Sequence, residues 1–256
     1  MQTEIIVALD VPDAKEAAAA VREIGDAVSF YKVGLELFIA DGPAVLEMLR
    51  AEGKRIFLDL KLCDIPRTVE RAAASCLRFG AELLTIHASG SKAMIESAAK
   101  AVRDAGSPCK ILAVTVLTSM DQSDLALVGV ARPVGEQVAA LAKLAVESGA
   151  HGLVCSPKEA AALRNALGPA PLLVTPGIRP AGGELGDQKR VATAAQAVLD
   201  GATHLVIGRP IMEAADKRAA ALAMQAEVAA AGASASAANI NTANAAADDA
   251  RAASQN

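Results

Sequence analysis

A chain of 256 residues can bury a large core, and α/β barrels often use about this length as one domain. Its 29 acidic and 25 basic residues leave a formal charge of −4, with no basic face for nucleic acid and no Lys/Arg block for an anionic membrane surface. No apolar run approaches the roughly 18 residues of a membrane-spanning helix, and the four cysteines (Cys63, Cys76, Cys109, Cys155) form neither a CxxC pair nor a zinc-spaced His/Cys cluster, so they read as reduced thiols of a cytosolic protein.

In chain order, "MQTEIIVALDV" has no basic leading region and carries Glu4, so it reads as a first strand rather than a signal peptide. Apolar runs rich in Val, Ile and Leu predict strands over 4–10, 29–34, 55–61, 83–87, 110–117, 152–155, 171–175 and 204–208, each buried on both faces. Amphipathic stretches between them predict helices over roughly 13–26, 43–52, 66–79, 91–104, 135–148, 157–167, 188–200 and 210–230. Several helices start on recognisable signals, such as Asp13 after Pro12, Ser91 before "KAMIES", and Ser156-Pro157. This alternation predicts an α/β fold, a single-domain (β/α)8 TIM barrel over residues 1–231. The alternative, a doubly wound open sheet, usually carries a Gly-rich first turn, whereas "DVPDAKE" has no glycine. Residues 232–256, "GASASAANINTANAAADDARAASQN", have almost no large apolar side chain and read as a disordered tail or an extension of uncertain helicity.

Charges interrupt three of the predicted strands. Alternate residues of a barrel strand face the interior. In "RIFLDLK", Phe57, Asp59 and Lys61 should share the inward face and Leu58, Leu60 and Leu62 the helix-facing one. Asp10 ends "VALD" and Lys32 interrupts "FYKVG", so Asp10, Lys32, Asp59 and Lys61 should converge on the C-terminal mouth, with Asp64 just beyond. Strand-end residues reaching solvent are the bland explanation, weaker for three adjacent strands than for one. Burial of single charges would be prohibitive, but alternating signs compensate one another. Carboxylates flanking Lys61 favour its ammonium form, which suits a proton donor better than a nucleophile.

A second group lies late in the chain. "VTPGIRP" (174–180) follows the seventh strand and "VIGRPI" (206–211) the eighth, where barrels of this kind commonly cradle a phosphate. Glycine lets backbone N–H groups approach an anion, the next helix presents its N-terminus, and Arg179 and Arg209 add charge-assisted contacts. A lone Gly-Arg is usually a turn plus a solvated arginine; two on neighbouring strands favour phosphate. Together these residues define a charged barrel mouth acting on a phosphorylated small molecule, and leave the reaction open.

"FLDLKLCDIPRTV" resembles the D-x-K-x-x-D-I-x-x-T signature of the orotidine 5′-phosphate decarboxylase family. "VALDV", "YKVGLELF", "TIHASG", "VTVLTSM", "TPGIRP" and "VIGRPI" follow in family order, covering roughly residues 4–212. The D-x-K-x-x-D core alone is less specific, because related sugar-phosphate enzymes share it. The resemblance implies decarboxylation of orotidine 5′-monophosphate (OMP) to UMP, the last step of de novo UMP synthesis, with no metal and no organic cofactor. It implies that Lys61 donates a proton to C6, that Asp59 sits against the substrate carboxylate, and that Lys32, Asp59, Lys61 and Asp64 form the charged network. It implies Asp10 and Lys32 at the ribose, Thr118 at the pyrimidine, and Arg179, Gln188, Gly208 and Arg209 at the phosphate, with Gln188 bridging toward the base. It further implies a cytoplasmic homodimer in which Asp64 and Thr68 complete the neighbouring subunit's site, and a lid over 179–188. The competing expectations are a Mg-dependent sugar-phosphate decarboxylase or aldolase of the same superfamily, distinguished by chelator sensitivity, and a non-catalytic phosphate-ligand-binding barrel. His87, His151 and His204 receive no role; His87 ends a strand and could face the mouth, but a hydrogen-bonded core histidine is the preferred reading.

Overall fold

The structure, a computed structural model, describes residues 3–180 and 190–253, with the side chains of the final helix described through Ala235. Among the described residues, eight parallel strands close into a barrel in sequence order: β1 (Glu4–Leu9), β2 (Phe30–Gly34), β3 (Arg55–Leu62), β4 (Leu83–His87), β5 (Lys110–Val114), β6 (Gly152–Val154), β7 (Leu172–Thr175) and β8 (His204–Ile207). The ring closes where β1 pairs with β8, in the register Glu4↔His204 through Val7↔Ile207. This is the predicted (β/α)8 barrel, and the open-sheet alternative is excluded by that closure.

Strand alternation divides the core into two layers. Ile6, Ala8, Phe30, Phe57, Leu112 and Val206 belong to the cluster that fills the barrel interior. The intervening residues, such as Val7, Leu9, Leu58 and Leu84, pack outward against the helices. A strand whose two faces are both covered by apolar side chains must itself be apolar throughout, which is why these runs lack polar alternation.

The helices are α1 (Ala14–Ile24), α2 (Leu35–Ala51), α3 (Pro66–Leu77), α4 (Lys92–Asp104), α5 (Gln122–Leu127), α6 (Val134–Glu147), α7 (Pro157–Leu167), α8 (Ala194–Leu199), α9 (Arg209–Met212) and α10 (Lys217–Ala253). Their starts follow side-chain chemistry. Asp13 caps α1 by accepting the Glu16 N–H at 2.8 Å. Ser156 and Glu159 form a reciprocal capping box on α7, with Pro157 in the first turn.

Several boundaries differ from the sequence expectation for local reasons. Helix α2 begins directly after Gly34, not at Pro43. It bends at Asp41 (φ −143°), whose carboxylate accepts the Ala14 N–H at 3.0 Å and so ties α2 to the start of α1. "LELFIA" is apolar enough to look like more strand. Strand β5 stops at Val114 rather than 117, and Thr115 bonds to the Val154 carbonyl as the chain turns into a loop. That loop leads to the unpredicted α5, started by an Asp121/Asp124 capping box. The helix expected over 210–230 is two, α9 and α10. The latter is held by Lys217 to Glu23 (2.9 Å) and by Arg218 to Asp26 (2.5 Å). The helix expected from 188 has its described part as α8, and its first two residues lie outside the described residues. The expected tail falls within α10, whose backbone helix runs past residue 232 to Ala253.

Candidate active site

The C-terminal mouth of the barrel opens into a cleft of about 920 Å³ whose lining includes Asp10, Lys32, Asp59, Lys61, Arg179 and Arg209. Its floor is the top of the interior core, with Ala8, Phe57, Val114, Val154 and Val206. A ligand's apolar ring would rest on methyl groups while its charged ends meet charged side chains.

Three strands bring four of the predicted charges together, as their spacing requires. Lys32 Nζ lies 2.8 Å from Asp10 Oδ1 and 3.7 Å from Asp59 Oδ2. Lys61 Nζ lies 2.7 Å from the same Asp59 oxygen. The four charges therefore alternate in sign along a row. Asp59 and Lys32 are buried at its centre, whereas the Asp10 side chain is 58% exposed at its end. Burial alone would raise the Asp59 carboxyl. The Lys32 and Lys61 ammonium charges, with hydrogen bonds from Lys61 and Thr85, outweigh it and hold Asp59 below the usual carboxylate range. Asp59 is thus an anion inside the barrel.

Gly34 makes room for this row. A Cβ there would stand 2.9 Å from Lys32 Nζ and 3.4 Å from Asp10 Oδ1. Lys61 is reached by an irregularity of β3. The register with β4 jumps between Leu58↔Leu84 and Leu62↔Ile86, and Lys61 takes φ +49°, a region that side chains rarely occupy. Despite the shift, Leu58, Leu60 and Leu62 pack on the helix side and Lys61 lines the cleft with Phe57 and Asp59, as alternation predicts. The Lys61 N–H donates to Thr85 Oγ1 at 2.8 Å, and that hydroxyl donates to Asp59 Oδ1 at 2.9 Å.

At the other end of the cleft, Gly177 takes φ +79°, where only glycine is unstrained, and Arg179 follows it in the lining. Gly208 precedes the single turn of α9, which begins with Arg209-Pro210. Pro210 lacks an N–H, so this turn contributes less dipole to an anion than a full helix would. Thr118 lines the cleft from the loop after β5. That loop is held from below by Arg190, whose Nη2 donates to the Val116 and Leu117 carbonyls at 3.1 and 2.9 Å and whose guanidinium pairs with Glu159. Sequence reading missed Arg190 and Thr85. Arg190 belongs to no recognisable spacing, Thr85 opens the "TIHASG" stretch without a role of its own there, and both work through tertiary bonds.

Asp64 and Thr68 stand apart from this mouth. Both are exposed, and Asp64 Oδ1 accepts the Ile65 N–H at 2.6 Å. Gln188 and most of the expected lid lie outside the described residues. Two of the three histidines are structural. His151 Nδ1 accepts the Ile111 N–H at 3.1 Å, and His204 Nδ1 meets Thr203 Oγ1 at 2.9 Å with its ring edge-on to Phe30. His87 ends β4 two residues after the inward-facing Thr85, and burial and the Lys61 charge both push its imidazole below the usual value. Among the described residues, no three His, Cys, Asp or Glu side chains gather where they could hold a metal ion, and no helix is long and apolar enough to cross a membrane.

A closed parallel barrel with a lysine–carboxylate row and two Gly-Arg elements at its C-terminal mouth has the architecture of a barrel enzyme for small phosphorylated substrates. The chain belongs to the orotidine 5′-phosphate decarboxylase / HUMPS family, whose model matches residues 3–224. It is 51% identical over 227 residues to the orotidine 5′-phosphate decarboxylase of Bradyrhizobium sp. (strain BTAi1), covering 89% of this chain and 92% of the relative. It is 52% identical over 222 residues to that of Anaeromyxobacter sp. (strain K), covering 87% and 96%. The crystal structure of orotidine 5′-phosphate decarboxylase from Lactobacillus acidophilus superposes with a TM-score of 0.79 at 39% identity, over 89% of this chain and 99% of the other.

Proposed function

We propose that this barrel decarboxylates OMP to UMP and CO₂, with Asp10, Lys32, Asp59 and Lys61 at the reacting end of the cleft and Arg179, Gly208 and Arg209 at the phosphate end. The observation that carries this reading is the Lys61 ammonium held 2.7 Å from the buried anion Asp59, in a barrel of this family.

The chemistry asks for this arrangement. Loss of CO₂ leaves an electron pair at C6 that the pyrimidine ring delocalises poorly, so preorganised charge must stabilise it. The Lys61 ammonium attracts that pair as it develops and then donates its proton to C6, and solvent reprotonates the amine afterwards. A substrate carboxylate placed beside Asp59 meets a like charge. At a separation of about 4 Å and an effective dielectric of about 20 the repulsion is roughly 4 kcal/mol, relieved as neutral CO₂ departs. Binding energy from the remote phosphate holds the ring in this unfavourable position. In the same reading, Asp10 and Lys32 bind the ribose, Thr118 contacts the pyrimidine, and Gln188 joins phosphate to base.

The active unit in this reading is a homodimer in which Asp64 and Thr68 reach the neighbouring mouth. Their exposure supports it, as does that of Ile65, which follows Asp64 and is 67% exposed. Four free thiols, with Cys63 exposed, suit the reducing cytoplasm.

The test is to add OMP to the purified protein in excess EDTA and follow the ultraviolet change on conversion to UMP. One Tyr and no Trp keep the protein's own absorbance low. Fast conversion is expected. Turnover that collapses with chelator and returns with Mg²⁺ would instead assign the metal-dependent chemistry.

A further inference from the structure

We propose that Thr85 is a positioning residue for the reaction, whose hydroxyl sets where the Lys61 ammonium stands. The inference rests on reading Lys61 as the proton donor.

Thr85 is wholly buried on the inward face of β4. A threonine hydroxyl has one proton to give and two lone pairs to accept with. The proton goes to Asp59 Oδ1 at 2.9 Å, and one lone pair takes the Lys61 N–H at 2.8 Å. The other Asp59 oxygen takes the Lys61 ammonium at 2.7 Å. The bonds form a closed circuit. It runs from the Lys61 backbone through the Thr85 hydroxyl and the Asp59 carboxylate to the Lys61 side chain. Both ends of one lysine are thus tied to one anion: the backbone N–H through the Thr85 hydroxyl, and the ammonium directly, with both donor chains ending on the Asp59 carboxylate, whose charge polarises each of them.

The circuit also explains how Lys61 keeps its φ of +49°. Lys61 lies inside the register shift of β3 against β4, where ladder pairing lapses. Its N–H finds the Thr85 hydroxyl there in place of a strand carbonyl. Without that hydroxyl, the amide and Asp59 Oδ1 are both left short of a partner inside the barrel, and the bulge loses the bond that sets its direction. The competing explanation is that Thr85 is only a well-packed β-branched residue. Valine separates the two, because it matches threonine in shape and favours strand at least as well.

The experiment measures kcat and KM for OMP in Thr85→Val and Thr85→Ser, with Lys61→Ala alongside. Active sites are counted by UMP binding and folding is followed by thermal melting. Two hydrogen bonds involving charged or preorganised partners are removed in Thr85→Val, so kcat per site should fall about 30-fold or more. KM should change less than about threefold, because the groups that hold the substrate are untouched. Thr85→Ser restores the hydroxyl and should return kcat to within about threefold of the native value. Native kcat in Thr85→Val would overturn the inference, as would an equal loss in Thr85→Ser. A loss that disappears on counting sites would also overturn it. If Thr85→Val does not fold, Thr85→Ala, which also removes the hydroxyl, carries the same criterion. Native turnover in Lys61→Ala would fail the proton-donor reading itself, an outcome distinct from any Thr85 result.

Discussion

Replacing Gly34 with alanine should damage the site far more than the fold. The added Cβ would sit 2.9 Å from Lys32 Nζ, closer than such atoms can stay, and in ordinary contact with Asp10 Oδ1 at 3.4 Å. Gly34 has φ −91°, so alanine meets no backbone strain, and the atom that must yield is the tip of a flexible side chain. A shift of Nζ by about 1 Å would lengthen its 3.7 Å approach to buried Asp59 and its 2.8 Å bond to Asp10. At an effective dielectric of about 20 the first change loses about 1 kcal/mol, and the second about 1.5 before screening. Asp10 is more than half exposed, so water reduces its share to less than about 1 kcal/mol. Loss of the charge-assisted hydrogen bond adds about 1 kcal/mol. The sum is about 2–3 kcal/mol, or about a 30- to 150-fold fall in kcat/KM for OMP. The same ~2–3 kcal/mol is lost from the folded state, so the melting temperature should drop by about 4–12 °C while the fold persists. Steady-state decarboxylation and a thermal melt on the same preparation test both halves. Native kcat/KM in Gly34→Ala would refute the argument that this glycine exists to seat Lys32.

Three other outcomes follow, two from the proposed function and one from the buried histidines. Lys61→Ala and Asp64→Ala should each be nearly inactive yet regain about a quarter of native activity when mixed and allowed to exchange, because half the dimers would be hybrids with one intact site of two; no recovery despite demonstrated exchange would remove Asp64 from the neighbouring mouth. Arg209→Ala should weaken binding of UMP by tenfold or more and leave binding of uridine within about twofold, read by calorimetry; equal losses would deny Arg209 the phosphate. Burial holds His87, His151 and His204 below the usual imidazole value, so the unfolded chain takes up protons first as pH falls below about 6.5. Stability present at neutral pH should therefore be lost on acidification, with a lower urea midpoint at pH 5 than at pH 7 and a shallower slope in His204→Phe; a midpoint flat across that range would contradict the three assignments.

The residues that were legible in the sequence are those whose placement follows from periodicity. Eight apolar runs became eight strands, and the inward step of two from Phe57 to Asp59 was correct. Lys61 also faces the cleft as period two predicts, but its positive φ and the shift against β4 are decided by the partner strand and were not legible. Thr85 stood in the quoted "TIHASG", but its role could not be read there. In "LLTIH" a threonine reads as strand propensity, and only the folded register shows its hydroxyl between Asp59 and Lys61. Gly34 looked like a strand end, and its purpose depends on Lys32 folding back along its own strand. Helix α5 could have been found, because Asp121-x-x-Asp124 is a capping signal in plain view.

The seam between β1 and β8 has a consequence for how the protein is made. Thr3 bonds to Ala202 and Glu4 to Thr203, contacts that span nearly the whole barrel sequence. A growing chain leaves the ribosome with Asp10, Lys32, Asp59 and Lys61 already synthesised while the strand that must cover the free edge of β1 does not yet exist. Until His204–Ile207 emerge, that edge is an open template for pairing with another chain. The lysine–carboxylate half of the mouth is translated first and the half with the two Gly-Arg elements last. Translation that stalls between them would leave an aggregation-prone half-barrel, and a chaperone that shields the β1 edge would act on a fragment that has the lysine–carboxylate row and lacks both Gly-Arg elements.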